Sequence, residues 1–263
     1  ISGNLFIFML NARYRDLILY KTLADLRAEA SRTYIGFLWW VLDPLIFMLI
    51  FYVVFGLLLK RGTPDFIPFL LIGLVSWRWF QNTIIHSATS ILSGRGLMQQ
   101  VYVPKVVFPL VVILTDLVKF GVVLVILLVY LWVAGFTVGW TYLALPVLLI
   151  TQFLLIIGLT LLVSAIVPFL PDFKHLTEHA LQILFYFSGI FFAGSNIPEN
   201  YRIYFYLNPM ANIIEAYRDI LMYQRYPNWL VLALIAALGL GISTLAYRWI
   251  QHNDHLYPKL MRR

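Results

Sequence analysis

The stretch Thr33-Tyr34-Ile35-Gly36-Phe37-Leu38-Trp39-Trp40-Val41-Leu42-Asp43-Pro44-Leu45-Ile46-Phe47-Met48-Leu49-Ile50-Phe51-Tyr52-Val53-Val54-Phe55-Gly56 decides the fold. It is long enough to cross a bilayer, because about 20 helical residues cover the hydrocarbon core. A Trp pair, Trp39-Trp40, stands near its expected water boundary, where amphipathic rings prefer to sit. A charged stretch from Arg27 to Arg32 precedes it, and an Asp43-Pro44 step interrupts it one or two turns inside. A plain membrane anchor needs none of these interruptions. A protein that moves something through the membrane has a use for them.

Composition agrees. The chain is 62% hydrophobic and 12% charged, against roughly 25% charged in soluble domains. No hydrophilic stretch is long enough for a separate soluble domain, so residues 1–263 read as one integral membrane domain. Cysteine is absent, which excludes disulfides and thiolate metal sites. The apolar run Leu5–Leu10 is short and is followed by charges, so no cleavable signal is expected. The net charge of +7 reads as a topology signal rather than a nucleic-acid footprint.

Working outward, six apolar spans can be drawn, at Ile35–Leu59, Phe66–Leu92, Val106–Ala134, Tyr142–Phe169, Leu176–Ala193 and Trp229–Ile250. The expected class is therefore an all-α integral membrane protein with six transmembrane helices. Gly194–Asn228 is too polar and too broken by Pro to span once, yet too apolar for an ordinary loop. It splits at Asn208-Pro209 into Tyr201–Leu207 and Met210–Met222, the pattern of re-entrant half helices before the last span. Lys and Arg collect on the side holding both termini, so both ends are expected in the cytoplasm. Arg78 and Lys119 are left at membrane depth.

Tyr14–Arg32 reads as an amphipathic helix lying along the cytoplasmic surface, with Leu19, Leu23, Leu26 and Ala30 at steps of three and four. In the Gly94–Lys105 loop, Leu97, Met98, Val101 and Tyr102 form a short apolar stripe at helical spacing. A stripe in a water-facing loop implies burial, either against a partner or against the protein's own helices.

Taken together, these blocks resemble a known family. Tyr34 to Pro44 is similar to the first-span signature of type-2 ABC exporter permeases that move bacterial cell-surface polysaccharide. Asn208-Pro209-Met210, followed by Glu215, Tyr217 and Arg218, resembles the family's block before its last span, and Pro171-Asp172-Phe173 through Gln182 resembles its loop into span five. The match runs from Lys21 to Trp249 and looks nearest to O-antigen exporter permeases, with capsule and teichoic-acid exporters sharing the same blocks. The resemblance implies a homodimer in the bacterial inner membrane, two separate cytoplasmic ATP-binding cassette subunits and a lipid-linked polysaccharide as substrate. It implies that 94–105 is a coupling helix seated in an ATPase groove, that 14–32 is an interfacial gate helix and that 194–228, with Asn208, Pro209 and Met210, forms the outer gate. The chain has no Gly-x-x-x-x-Gly-Lys-Ser/Thr phosphate loop, so ATP and Mg are expected on the partner and no cofactor or metal on this chain.

A sugar ring offers an apolar C–H face, and an aromatic wall can contact it without holding it tightly. Tyr34, Trp39, Trp40, Trp77, Trp79, Phe80, Tyr186 and Phe187 are the candidates for such a path; the alternative is a lipid belt or packing. Arg78 sits midway along span two with Gln81 and Asn82 three and four residues on. It reads either as a contact to a phosphate or carboxylate of the substrate or as a snorkelling residue. Asp116 and Lys119, three apart on one helix, are expected to pair. Asp43 is expected to take a structural partner. His175-Leu176-Thr177-Glu178-His179 matches an H-x-x-E-H metal pattern. It supports a competing reading as an intramembrane zinc metallopeptidase, which would need a further ligand.

Overall fold

The computed structural model describes residues 12–32, 36–51, 53–54 and 65–260, and among these it is all-helical. Helix α1 (Ala12–Arg32) is followed by a 3-10 turn at Gly36–Leu38 and by α2 (Trp39–Phe51). The turn needs glycine: Gly36 has φ +56, and a Cβ there would lie 2.9 Å from the Ala30 carbonyl oxygen. The described part of α2 continues through the Asp43-Pro44 step, so the proline does not end the helix. Helix α3 (Phe66–Ala88) stops at Thr89 and gives way to two short helices, α4 (Ser90–Ser93) and α5 (Arg95–Gln100).

Three long helices follow the pattern of membrane segments. They are α6 (Val107–Val133), α7 (Leu145–Ile166, entered through a 3-10 turn at Trp140–Ala144) and α11 (Trp229–His252). Their most apolar stretches have mean hydropathies of 2.6, 2.5 and 2.2, and these three alone among the described helices are both long and apolar enough to cross a membrane. Helix α3 is 23 residues long, but Ser76, Arg78, Gln81 and Asn82 in its middle make it too polar by that measure. Helix α8 (Phe173–Phe187) has only 15 residues, about 22 Å of rise. Between α8 and α11 lie α9 (Glu199–Tyr206) and α10 (Pro209–Leu221), which match the two apolar pieces expected around Asn208-Pro209. Helix α12 (Tyr257–Leu260) closes the described chain.

Helix α3 is the hub. Its buried residues Leu70, Leu74, Trp77 and Phe80 pack into one core with α6, α7 and α10. Its hydroxyls turn back on their own helix, Ser76 to the Ile72 carbonyl at 2.8 Å and Thr83 to the Trp79 carbonyl at 2.8 Å, which satisfies them without a partner helix. Helices α7 and α11 touch backbone to backbone. A Cβ on Gly158 would meet the Gly239 carbonyl oxygen at 2.6 Å, and one on Gly239 would meet the Leu154 carbonyl carbon at 2.6 Å. Small residues at a helix crossing permit this approach where lipid supplies no hydrophobic drive.

A second core joins α1, the α4–α5 corner, α6, α7, α11 and α12 around Ile18, Val107, Phe108, Tyr247 and Tyr257. Helix α1 enters it by Ile18 and Thr22, while Leu19 and Leu23 of its apolar stripe are exposed. Helix α1 thus turns one face to the bundle and leaves its leucines on the outside, where a membrane surface can take them.

Candidate functional site

A cavity of about 310 Å³ opens between the C-terminal half of α1, the start of α2, and the facing sides of α3 and α6. Charged groups from three helices line it: Glu29 from α1, Arg78 and His86 from α3, Asp116 and Lys119 from α6. Lys119 forms ion pairs with Glu29 and, at 3.4 Å, with Asp116. Asp116 also meets His86 Nδ1 at 2.9 Å. The carboxylate of Asp116 is nearly buried, whereas that of Glu29 is 48% exposed. A fixed acid on α6 and a replaceable one on α1 therefore share the same ammonium.

Arg78 is half-buried on the cavity wall with Asn82. Gln81, grouped with them in the sequence, turns elsewhere and accepts from Trp77 Nε1 at 3.0 Å. Residues 78, 82 and 86 lie four apart and face the cavity together, so continuing the Arg78–Asn82 step by one turn would have found His86. Glu29 carries no comparable signal, because its partner is remote in the chain.

The aromatic candidates divide. Trp77 is fully buried, tilted against Phe80 and Phe185 at 5.4 and 5.9 Å, and Phe80 is buried with it. Trp79 stacks on Phe120 at 4.0 Å and lines the cavity, and its buried Nε1–H has no acceptor among the described residues. The expectation that Trp77 and Phe80 line an open path is corrected accordingly, because helix-helix packing consumes their faces, whereas Trp79 stays on the cavity wall. Trp39 lines the cavity and is exposed, and Tyr186 and Phe187 are exposed on α8. Tyr34 and the side chains of Trp40 and Asp43 lie outside the described residues.

The 94–105 loop also departs from its expected stripe. Leu97 and Met98 pack partly against the second core, while Val101 and Tyr102 are exposed. The reason is local: α5 ends at Gln100, and Val101 is extended at φ −142, ψ 151, so helical spacing no longer relates it to Leu97. The far end of the loop is clamped to the C-terminal segment. Lys105, buried, pairs with Asp254 at 3.1 Å, and Tyr102 donates to the same carboxylate at 3.1 Å. Desolvation of its hydroxyl, with Asp254 beside it, pushes the Tyr102 pKa up, so Tyr102 remains a donor.

On the other side of α3, the Glu215-Tyr217-Arg218 block of α10 forms a buried node. Arg218 donates to the carbonyls of Gly189 at 2.7 Å, Ile190 at 2.9 Å and Phe69 at 3.1 and 3.2 Å, and stacks on the Phe69 ring. Tyr217 donates to Gln152 at 2.7 Å, and Gln152 donates to the Ser76 carbonyl at 2.8 Å. Glu215 accepts from the Gly194 amide at 2.8 Å. Asn208 caps α10, accepting from the Met210 amide at 3.0 Å, and donates to Ser188 at 2.9 Å; Pro209 starts the helix and Met210 is buried.

The metallopeptidase reading fails on geometry. Glu178 is engaged by His175 at 3.3 Å and Lys174 at 3.8 Å on an exposed helix face. Among the described residues no three His, Asp or Glu side chains come together to hold a metal.

Residues 23–222 match the family described as ABC-2 type transporter, a stretch that runs from α1 to the end of α10 and takes in both the cavity and the Arg218 node. The O-antigen export system permease protein RfbA of Klebsiella pneumoniae is 28% identical over 79% of this chain and 80% of its own length. The protein of the same name from Myxococcus xanthus is 28% identical over 86% of this chain and 88% of its own. The polysialic acid transport protein KpsM of Escherichia coli is 27% identical over 76% and 79%. With long apolar helices, charged groups gathered at a cavity and a family match over most of its length, the chain belongs to the ABC-2 type transporters, as a membrane permease homologous to O-antigen export and polysialic acid transport proteins.

Proposed function

We propose that the chain is the permease subunit of an ATP-driven exporter that carries an O-antigen-like, lipid-linked polysaccharide across the bacterial inner membrane. In this reading two copies form the path, each crosses the membrane six times with both termini in the cytoplasm, and two cytoplasmic ATPases dock at α5 and the exposed Val101 and Tyr102. Helices α9 and α10 are re-entrant at the outer mouth, with Asn208, Pro209 and Met210 as the gate. Support comes from the relatives, which are named for O-antigen export and polysialic acid transport.

The observation that carries the reading is the charged cavity between α1, α3 and α6. A lipid-facing helix would not place Arg78 and Asn82 on one side, since a central Arg costs about 2.5 kcal/mol or more. A cavity that opens beside a surface helix can admit the anionic linkage of a lipid-linked glycan, and Arg78 is placed to receive it. Capsule or teichoic-acid-like polymers share that linkage chemistry and are distinguished by assay.

The test is export in inside-out vesicles that hold the permease and its cognate ATPase. Arg78→Gln is expected to abolish export of lipid-linked glycan, and Arg78→Lys to keep part of it, because charge is retained while the fork geometry is lost. Wild-type export by Arg78→Gln would remove Arg78 from the substrate path.

A further inference from the structure

We infer that Glu29 is a latch carboxylate, and that a phosphate group arriving in the cavity displaces it from Lys119 and frees the C-terminal half of α1. This rests on the reading of the cavity as a site for an anionic linkage. Helix α1 is held differently at its two ends. Its N-terminal half is anchored by Ile18 and Thr22, both buried. In its C-terminal half Ala24, Arg27, Ala28 and Ser31 are exposed, Leu26 and Ala30 are half-buried, and Glu29 forms an ion pair with Lys119 of the bundle. The first anchor is a pivot and the second a contact that an anion can replace.

The chemistry of Lys119 favours exchange over simple loss. Its ammonium keeps Asp116 at 3.4 Å when Glu29 leaves, so the cation is never stranded in the cavity. A phosphate oxygen can take the place of the Glu29 carboxylate with the same charge-assisted geometry. A further cation, Arg78, stands on the same cavity. Glu29 alone brings one carboxylate to this set, whereas a phosphate brings several oxygens. Released, α1 would carry with it the tight turn at Gly36, which packs on the Ala30 carbonyl, and so the start of α2.

The experiment uses the full chain in zwitterionic nanodiscs, with spin labels on Ala28→Cys and Val122→Cys; the absence of native cysteine makes the labelling specific. The probes are a polyprenyl phosphate, the matching polyprenol and inorganic phosphate. In the wild type, polyprenyl phosphate is expected to lengthen the α1–α6 distance and polyprenol to leave it unchanged. Glu29→Gln is expected to show the long distance without ligand and to bind polyprenyl phosphate about twofold to fivefold tighter, the range for relieving a half-exposed ion pair. Glu29→Asp, which keeps the charge, is expected to retain a ligand-sensitive distance. The same shift with inorganic phosphate supports the latch and names free phosphate as sufficient. If Glu29→Gln changes neither distance nor affinity while Arg78→Gln weakens binding about tenfold, the latch is overturned and the phosphate site stands. If polyprenyl phosphate binds no better than polyprenol, both fall.

Discussion

Arg218 and Lys119 are both cations held among apolar helices, and they are neutralised in opposite ways. Arg218 is 2% exposed and spends its guanidinium on backbone carbonyls of α3 and of the turn after α8, with an aromatic ring beneath it. Those acceptors cannot leave without unfolding the turn. Lys119 is paired with two carboxylates, one of them on a surface helix and half exposed. Carbonyl acceptors make a fixed joint. Exchangeable carboxylates make a site. The difference says which cation the fold depends on and which one function can use.

The strongest way to break this contrast is to remove each cation's support in turn. Arg218→Leu strands three carbonyls, and at about 1–3 kcal/mol for each buried group left without a partner the loss should reach about 3 kcal/mol or more. The variant is expected to lose its monodisperse peak in detergent at temperatures where wild type keeps it. Arg218→Lys should recover little, because one ammonium cannot reach carbonyls arranged for a planar fork. A native-like Tm for Arg218→Lys would show that the node needs only charge.

Asp116→Asn sharpens the other side. It removes the buried partner of Lys119 and His86 but leaves Glu29 on Lys119 and the cavity open to water. The expected cost is about 1–2 kcal/mol, below the full buried-pair figure because His86 is half exposed. Export should fall further than the Tm does. If the Tm drop equals that of Arg218→Leu, the cavity cluster is a structural joint as well.

A smaller effect separates contact from conformation. A Cβ at Gly73 would lie 2.9 Å from the Arg218 Nη2 and 3.4 Å from the Ile190 backbone, whereas one at Gly121, beside the cavity lysine, meets nothing within 4 Å. Gly73→Ala is expected to lower the Tm by disturbing the node. Gly121→Ala is expected to leave it unchanged or raise it by up to about 1 kcal/mol of stability, as in any helix interior. Equal behaviour of the two would mean that the node tolerates displacement.

Much of this was legible in the sequence because it is local. Hydropathy located α6, α7 and α11, the Asn-Pro step divided α9 from α10, and the three-residue spacing paired Asp116 with Lys119. The matched block around Arg218 marked the node without saying what it held. What could not be read is remote in the chain: Glu29 on Lys119, Lys105 on Asp254, and Arg218 on the carbonyls of Phe69 and Gly189. Helical periodicity also misled once, carrying the loop stripe past the end of α5, and on α1 it marked Leu19 and Leu23 but gave no sign that Ile18 and Thr22 make the contact with the bundle. Periodicity finds an apolar face but does not say whether protein or lipid covers it.

The loop supplies the smallest expected change in stability and the clearest separation of fold from coupling. Lys105 and Asp254 clamp its base and belong with the fixed joints. Val101, exposed and extended, and Met98, only partly buried, belong with the usable surface. A charge at exposed Val101 should leave insertion and Tm close to wild type, because exposed substitutions stay within about 0.5 kcal/mol, and one at half-buried Met98 should cost slightly more. If the cognate ATPase seats here, Met98→Glu with Val101→Glu should uncouple ATP hydrolysis from export, since a carboxylate in an apolar groove must be desolvated without a partner. Measuring ATPase association, hydrolysis and export on the same vesicles separates the possibilities. Normal export with normal association would exclude the loop as the docking element. A fall in Tm together with export would instead place Met98 among the joints that hold the second core.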